Sequence, residues 1–287
     1  MGGLGNQLFQ YAAAKRIAVV NNSPLKLDIA EYQENSSRQF QLNNFNIIAG
    51  IASPENLSYF YRYRGLNLKA ISLNFIQNFL PYSKRIYIKE PSFEFNPRVL
   101  TVSKNAYLEG YWQSERYFKD IEDIIRQEFT LKKPLLSSKN PRIALEMKNY
   151  PSVSVHIRRK DYLTPKLSKI FHVCPSEYYY SAIDSIKKRL KNPVFFVFAD
   201  DINWAKESLA KFPEKIVFVS DQNINKDYEE LHLMSQCKHN IIANSSFSWW
   251  GAWLNKNPEK IVIAPKNWFK DNSKNTKDLI PEGWIKL

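Results

Sequence analysis

The second half of the chain constrains the fold most, because short apolar runs alternate there with segments of helical spacing. The runs are 153–157, 194–199, 216–219, 240–243 and 261–264, and the helical segments 175–190, 204–211, 228–236 and 247–254 lie between or after them. Continuous β-branched runs separated by helices specify a parallel sheet covered on both faces. That is a doubly wound α/β domain, whose ligands bind beyond the carboxyl ends of the strands. The loops after these runs are therefore where chemistry is expected.

The first half is less regular. Residues 7–20 predict a helix, with Leu8, Phe9, Tyr11, Ala12, Ile17 and Val20 apolar. Residues 25–28 and 107–111 read as strands and 115–129 as an amphipathic helix, while 30–106 give no clear order. Residues 131–149 have linker composition, with Lys132-Lys133-Pro134 and Ser137-Ser138. The expected domains are 1–140 and 150–287. Repeats and low-complexity tracts are absent from the sequence.

A net charge of +13 points to anionic partners: nucleic acid, an anionic membrane surface or a phosphorylated small molecule. The basic residues are dispersed and no nucleic-acid-binding signature is present, so nucleic acid is not expected. Loose peripheral contact with an anionic membrane stays open. Cys174 and Cys237, the two cysteines, suggest a reducing compartment. The start does not read as a signal peptide and no apolar run reaches spanning length, so the expected compartment is the cytoplasm.

Four places could carry chemistry. Gly2-Gly3-Leu4-Gly5-Asn6-Gln7 feeds into a helix, where backbone N–H groups attract anions, although the same glycines also suit a plain helix cap. In Val153-Ser154-Val155-His156-Ile157-Arg158-Arg159-Lys160-Asp161, alternation puts His156 and Arg158 on one face. Arg158 then delivers a planar fork to a nucleotide phosphate at the ligand edge of the sheet. Arg159 and Lys160 read as solvated charges, with Asp161 neutralising Arg159. Asp200 and Asp201 follow a central strand and could accept from a guanine edge or ribose, or cap the next helix. They do not form Asp-x-Asp, and no metal is expected. In Asn244-Ser245-Ser246-Phe247-Ser248-Trp249-Trp250-Gly251-Ala252-Trp253, the serines could cap a helix or meet a phosphate, and Trp249 and Trp253 read as core.

These segments resemble, in wording and order, the motifs of bacterial α1,2-fucosyltransferases of glycosyltransferase family 11. The opening motif extends through Leu8-Phe9-Gln10-Tyr11-Ala12, and the second is similar to His-x-Arg-Arg-x-Asp. Asn244 to Gly251 matches a C-terminal motif, and Gly110-Tyr111-Trp112-Gln113-Ser114-Glu115 a further one. The resemblance implies an α/β fold of GT-B type, two Rossmann-like domains facing across a cleft, the first on the acceptor side. It implies GDP-β-L-fucose as donor, a galactose-terminated oligosaccharide as acceptor, inversion to an α1,2 linkage, and no metal or other cofactor. Arg158 would hold the β-phosphate of GDP. His156, Asp200 and Ser220 would lie near the nucleotide, Ser220 at ribose or base. Asn244, Ser245, Ser246 and Phe247 fall at the diphosphate, and Gly3, Gly5 and Asn6 near the pyrophosphate or fucose. Family members carry a short apolar strand ahead of the opening glycines, and here the text starts at the loop.

The expected mechanism is attack of an acceptor hydroxyl on the anomeric carbon opposite GDP, with Arg158 stabilising the leaving diphosphate. Asp161, Glu115 and Asp28 are candidates for the base, and solvent or the departing phosphate could take the proton instead. Another GDP-sugar donor, or an inactive nucleotide- or carbohydrate-binding module, are the competing readings.

Overall fold

The computed structural model describes residues 2–33, 38–133, 140–220, 227–270 and 274–287. The chain divides into two compact units, the first Met1–Thr130 with Asn275–Leu279, the second Leu131–Lys274 with Ile280–Leu287.

The first unit starts with helix α1 (Leu4–Val20), which buries Leu8, Phe9, Tyr11 and Ala12. It begins three residues earlier than the periodicity predicts, so Gly5 and Asn6 lie in its first turn and Gly3 is its N-cap. Strand β1 (Lys26–Leu27), helix α2 (Ala30–Gln33), strand β2 (Gly50–Ile51), helices α3 (Pro54–Tyr61) and α4 (Leu68–Asn78), strands β3 (Tyr87–Lys89) and β4 (Tyr107–Glu109) and helix α5 (Glu122–Glu128) follow.

Two predicted elements are shorter than expected. The strand predicted over 107–111 stops at Glu109, because the chain bends round Glu90, which accepts the N–H groups of Tyr111 and Trp112 at 2.6 and 2.9 Å. Trp112 takes φ +57° to make that bend. The helix predicted over 115–129 is broken at Phe118 (φ −146°), which separates two 3₁₀ turns and leaves only α5 helical.

The strands of this unit form two parallel pairs, β1 with β2 and β3 with β4. Gly50 and Ala52 N–H donate to the carbonyls of Leu25 and Leu27, each at 2.9 Å, so Lys26 and Asp28 turn their backbone groups the other way. Tyr107 N–H donates to Ile86 O and Glu90 N–H to Glu109 O, both 2.8 Å, so Leu108 likewise turns away from β3. Those outer edges, with Gln10, Tyr11 and Ala14 of α1, line one cavity of about 470 Å³.

The second unit holds helix α6 (Asn140–Asn149), strand β5 (Ser152–Ile157), helix α7 (Ser176–Lys187), strand β6 (Val194–Ala199), helix α8 (Ile202–Leu209), strand β7 (Ile216–Phe218), helix α9 (Asp227–Gln236), strand β8 (His239–Ile241), helix α10 (Ser246–Leu254) and strands β9 (Val262–Ala264) and β10 (Ile285–Lys286). Every predicted strand and helix of this half is present within a few residues. The expected linker is not: residues 134–139 lie outside the described residues, but 140–149 are helix, with Ile143 and Met147 buried in the core. Its apolar residues at i, i+4 spacing give it a face to bury, which the surrounding polar residues obscure in the sequence.

The sheet is parallel throughout, in the order β10-β9-β8-β5-β6-β7. Alternation in β6 feeds two cores: Phe195 and Val197 pack with α7 and α8, while Phe196 and Phe198 pack with Met147 and Leu233. The chain leaves β5 toward β6 and β7, then returns to lay β8 on the other side. The topological switch therefore lies between β5 and β8, and sheets of this kind bind their ligands beyond the carboxyl ends of the strands there.

Candidate functional site

The loops that leave β5 and β8 carry the two strongest motifs of the second unit, so both reach the ligand edge at the switch point. His156 is the penultimate residue of β5 and is buried. Its ring lies 5.6 Å from that of Phe247, the second residue of α10. Burial, and then the neighbouring Arg158 charge, push the His156 pKa down to about 3, so the ring is neutral at physiological pH. Its Nδ1 is buried with no hydrogen-bond partner. A buried ring nitrogen left unsatisfied costs about 1–3 kcal/mol, and such an atom at a ligand edge is poised to meet a polar group.

Arg158 stands immediately after the strand and is held by two carboxylates. Its Nε donates to Asp161 Oδ1 at 2.9 Å and its Nη2 to Asp161 Oδ2. Asp200 Oδ2 lies 3.4 Å from the same Nε. Burial opposes the guanidinium charge, but the Asp161 hydrogen bond and the charges of Asp161 and Asp200 outweigh it and raise the Arg158 pKa. Asp200 also accepts the N–H groups of Arg159 and Lys160, at 2.8 and 3.1 Å. Burial raises the Asp200 pKa, against the pull of Arg158 and these N–H groups. The turn after β5 is thus wrapped round the Asp200 carboxylate, and the Arg158 fork is oriented before any ligand arrives.

The partner expected for Asp161 is corrected: it holds Arg158, not Arg159. Nor is Arg159 solvated. Its guanidinium lies 4.0 Å over the Trp204 ring with Asp201 Oδ2 3.8 Å from Nε, and its side chain is mostly covered. The turn after β5 explains the exchange, since it closes Asp161 back onto Arg158 while Arg159 is turned to Trp204 and Asp201. Of the two aspartates, Asp201 is the cap, accepting the Trp204 N–H at 3.3 Å, and Asp200 is the one turned to Arg158.

Around the β8 end, Ser245 is the N-cap of α10 and accepts the Phe247 N–H at 3.3 Å, with Ser246 opening the helix. Asn244 is fully buried. Its side-chain amide donates to His172 O and, at 2.8 Å, to Trp268 O, and its backbone carbonyl accepts the Tyr162 hydroxyl at 3.0 Å. Asn244 therefore shapes the loop that presents Ser245 and Ser246. Trp249 and Trp253 are buried, as their i, i+4 spacing predicts, and Trp250 is buried with them.

Ser220 follows β7. Its hydroxyl accepts the Ala199 N–H at 3.1 Å and donates to Glu230 Oε1 at 2.8 Å. Sequence reasoning missed Glu230. Burial pushes its pKa up to about 7; Asp227 and Asp200 add to the rise, and the Ser220 hydrogen bond and Arg158 oppose it. The one signal was Asp227-Tyr228-Glu229-Glu230 in the first turn of α9, which reads equally as complement to a helix dipole.

In the first unit the opening loop is pinned from two directions. Gln7 Nε2 donates to Gly2 O and Gln39 O at 3.0 and 2.9 Å, and its Oε1 accepts the Gln41 N–H at 2.9 Å. Asn6 Oδ1 accepts Gln113 Nε2 at 2.8 Å, which joins this loop to the Gly110–Glu115 motif. A side chain at Gly2 would meet Asn6 Nδ2 at 2.7 Å, so a glycine there lets Asn6 keep its place. The two remaining base candidates are engaged: Asp28 Oδ2 takes the hydroxyls of Tyr61 and Tyr107 at 2.8 and 2.7 Å, and Glu115 pairs with Lys119 at 3.3 Å.

A family profile described as "Glycosyl transferase family 11" matches residues 1–287. An "Alpha-1,2-colitosyltransferase" of Escherichia coli is 36% identical over 293 residues, spanning 100% of this chain and 96% of its own. The "O-antigen biosynthesis glycosyltransferase WbnK" of Escherichia coli is 35% identical over 305 residues, spanning 100% and 98%. Among solved structures, a mutant of Arabidopsis thaliana FUT1 in complex with GDP superposes with TM-score 0.53 at 12% identity, covering 92% of this chain and 68% of that one. The fold class is the expected one, α/β of GT-B type.

Proposed function

The chain belongs to glycosyl transferase family 11, and from that membership we propose that it is an inverting α1,2-fucosyltransferase, moving L-fucose from GDP-β-L-fucose to the 2-hydroxyl of a terminal galactoside in a surface glycan. Its transfer of a sugar from a nucleotide donor to a glycan rests on the family itself. The finer reading is carried by one observation: Arg158 stands preoriented at the β5/β8 switch point, beside an unsatisfied His156 nitrogen and the Ser245–Ser246 helix start.

In this reading the diphosphate sits beyond β5 and β8, with Arg158 on the β-phosphate and Ser245 and Ser246 on its oxygens. His156 Nδ1 gains a partner there. Asp200 and Ser220 lie on the nucleoside side. The acceptor hydroxyl attacks the anomeric carbon, the bond to the diphosphate oxygen breaks, and its electron pair stays on GDP. Arg158 lowers the barrier by stabilising that charge, work that a metal ion does elsewhere. Transfer in excess EDTA should match transfer in its absence. Asp161, Glu115 and Asp28 all have partners, and attack opposite GDP keeps the hydroxyl proton away from the departing diphosphate, so we place that proton on solvent at the acceptor side and give Asp161 the role of holding the Arg158 fork until the diphosphate competes for it.

A second donor has its own support, since the relative with 36% identity is named for colitose. Colitose is fucose without its 3-hydroxyl. A site that hydrogen-bonds that hydroxyl rejects the deoxy sugar by about 10⁴–10⁵, whereas an apolar wall discriminates far less. Comparing kcat/KM for GDP-fucose and GDP-colitose on lactose or a longer galactoside therefore tests the reading. Preference for GDP-colitose replaces fucose as donor. Binding of both without GDP release returns the chain to an inactive binding module, and stabilisation by UDP but not GDP rejects the nucleotide assignment.

A further inference from the structure

Helix α4 of the first unit is turned inside out. Its buried residues are Ala70 and Gln77, and Gln77 Oε1 accepts the Ile86 N–H at 3.1 Å. The opposite stripe carries Leu68, Ile71, Phe75 and Ile76, then Phe79 just past its end, which are 84, 50, 62, 60 and 75% exposed. Spacing of i, i+3, i+7, i+8 and i+11 puts all five on one face, the pattern that ordinarily faces a core. Leu66, 90% exposed, extends the stripe into the preceding loop. Contiguous apolar surface of this kind marks an interaction face.

Charge identifies the partner. Residues 56–89 contain Arg62, Arg64, Lys69, Lys84, Arg85 and Lys89, and not one aspartate or glutamate. Arg64 and Lys89 pair with Glu109, and Arg85 binds the carbonyls of Asn78 and Leu80. Lys69 is exposed on α4 itself, and Arg62, over the Tyr59 ring, and Lys84 are exposed on the segments that flank the helix in sequence. An apolar face with a purely cationic rim matches an anionic bilayer surface: the side chains enter the acyl boundary while the cations stay among the headgroups. A second copy would bring the same cations and the same net charge of +13 against this rim, which disfavours self-association. At 11 residues α4 is about 16 Å long. No helix among the described residues is long and apolar enough to cross a membrane. We propose that α4 and Leu66 dock this protein in the plane of an anionic lipid bilayer, a role independent of which donor it uses.

The test is co-sedimentation of the full chain with large vesicles of phosphatidylcholine alone or mixed with phosphatidylglycerol. The mixed vesicles should retain the protein, with retention falling as salt rises. Phe75→Ser with Phe79→Ser should weaken partitioning about tenfold or more. Lys69→Glu with Lys84→Glu should remove the preference for anionic lipid. Both variants should keep the parent Tm and thermal shift with GDP. Phe75→Trp should show a blue shift of its added emission on mixed vesicles. Failure of the parent chain to bind any vesicle, or unchanged binding after Phe75→Ser with Phe79→Ser, overturns the proposal. So does light scattering that shows a dimer dispersed by that pair of substitutions, since the stripe would then bind a second copy.

Discussion

Arg158 and Asp161 are joined at two points, Nε to Oδ1 at 2.9 Å and Nη2 to Oδ2, with Asp200 Oδ2 3.4 Å from the same Nε. Two carboxylates against one guanidinium leave the cluster one negative charge in excess. An incoming diphosphate must therefore compete with Asp161 for the fork. Asp161→Asn removes the competing charge and keeps one oxygen to accept from Arg158, while its amide nitrogen, a donor, cannot pair with the second guanidinium N–H. GDP affinity should rise about tenfold by calorimetry, about 1.4 kcal/mol. Weaker binding would mean that Asp161 orders the arginine more than it competes for it.

Replacing Arg158 probes the other half of the pair. Arg158→Ala should cost about 10²–10³-fold in kcat, as removal of a preorganised charge stabiliser does. Arg158→Lys should recover little, because an ammonium has no planar fork to share between Asp161 and a phosphate. The loss should appear in kcat with the Tm near that of the parent. Retained turnover in Arg158→Ala would remove this residue from the chemistry.

Stability should depend on pH through two buried groups of opposite sign. Glu230 has its pKa raised from 4.5 to about 7 by burial, so its contribution is fully present below pH 4.5 and is lost as pH rises through about 7. At pH 8 the shift amounts to a penalty on the order of 3 kcal/mol. Glu230→Gln should therefore raise Tm at pH 8 and leave it nearly unchanged at pH 4.5. His156 runs the other way. Its pKa is lowered from 6.5 to about 3, so its contribution is present above pH 6.5 and lost as pH falls toward 3. Thermal melts of Glu230→Gln and His156→Gln across this range separate the two, and parallel curves for parent and variants would refute both assignments.

The second unit was legible in the sequence because its strands are buried on both faces. Val153-Ser154-Val155 and Val194-Phe195-Phe196-Val197 leave no reading but a central parallel strand. The position of Arg158 was legible for the same reason, since a strand of known direction puts the residue that follows it at the ligand edge. Glu230 was not, because its role comes from burial beside Ser220 across 10 residues of chain. Asp161 was matched to the wrong arginine because spacing along the chain does not say which way a turn closes. The first unit was harder still: Gly110 to Gln113 bends round Glu90, 20 or more residues away, and no local signal foretells it.

The unpaired strand edges of the first unit make a prediction of their own. Lys26 and Asp28 of β1 and its exit, and Leu108 of β4, direct backbone groups away from their partners, and these segments line the 470 Å³ cavity beside α1. Exposed edges accept an added strand. A short extended peptide of apolar residues added in trans should occupy this space, raise Tm, and protect the Lys26 and Leu108 amides from hydrogen exchange. Unchanged exchange at both amides would show that the cavity does not take a strand.

Gly251 sets the distance between α9 and α10. A Cβ there would lie 2.9 Å from Met234 Cβ, 3.5 Å from its sulfur and 3.7 Å from its methyl. The flexible end of Met234 can move, but its Cβ is fixed to the α9 backbone. Gly251→Ala must therefore push the helices apart, at a cost of about 1–3 kcal/mol. That corresponds to a fall in Tm of roughly 2–4 °C per kcal/mol for a unit of this size. Because α10 begins at Ser246, the displacement should also weaken GDP binding. Met234→Ala retains the offending Cβ and should not rescue Gly251→Ala, whereas Met234→Gly should restore part of the GDP affinity despite its own cost to the helix. Full rescue by Met234→Ala would place the clash at the thioether and remove the argument for a shifted helix.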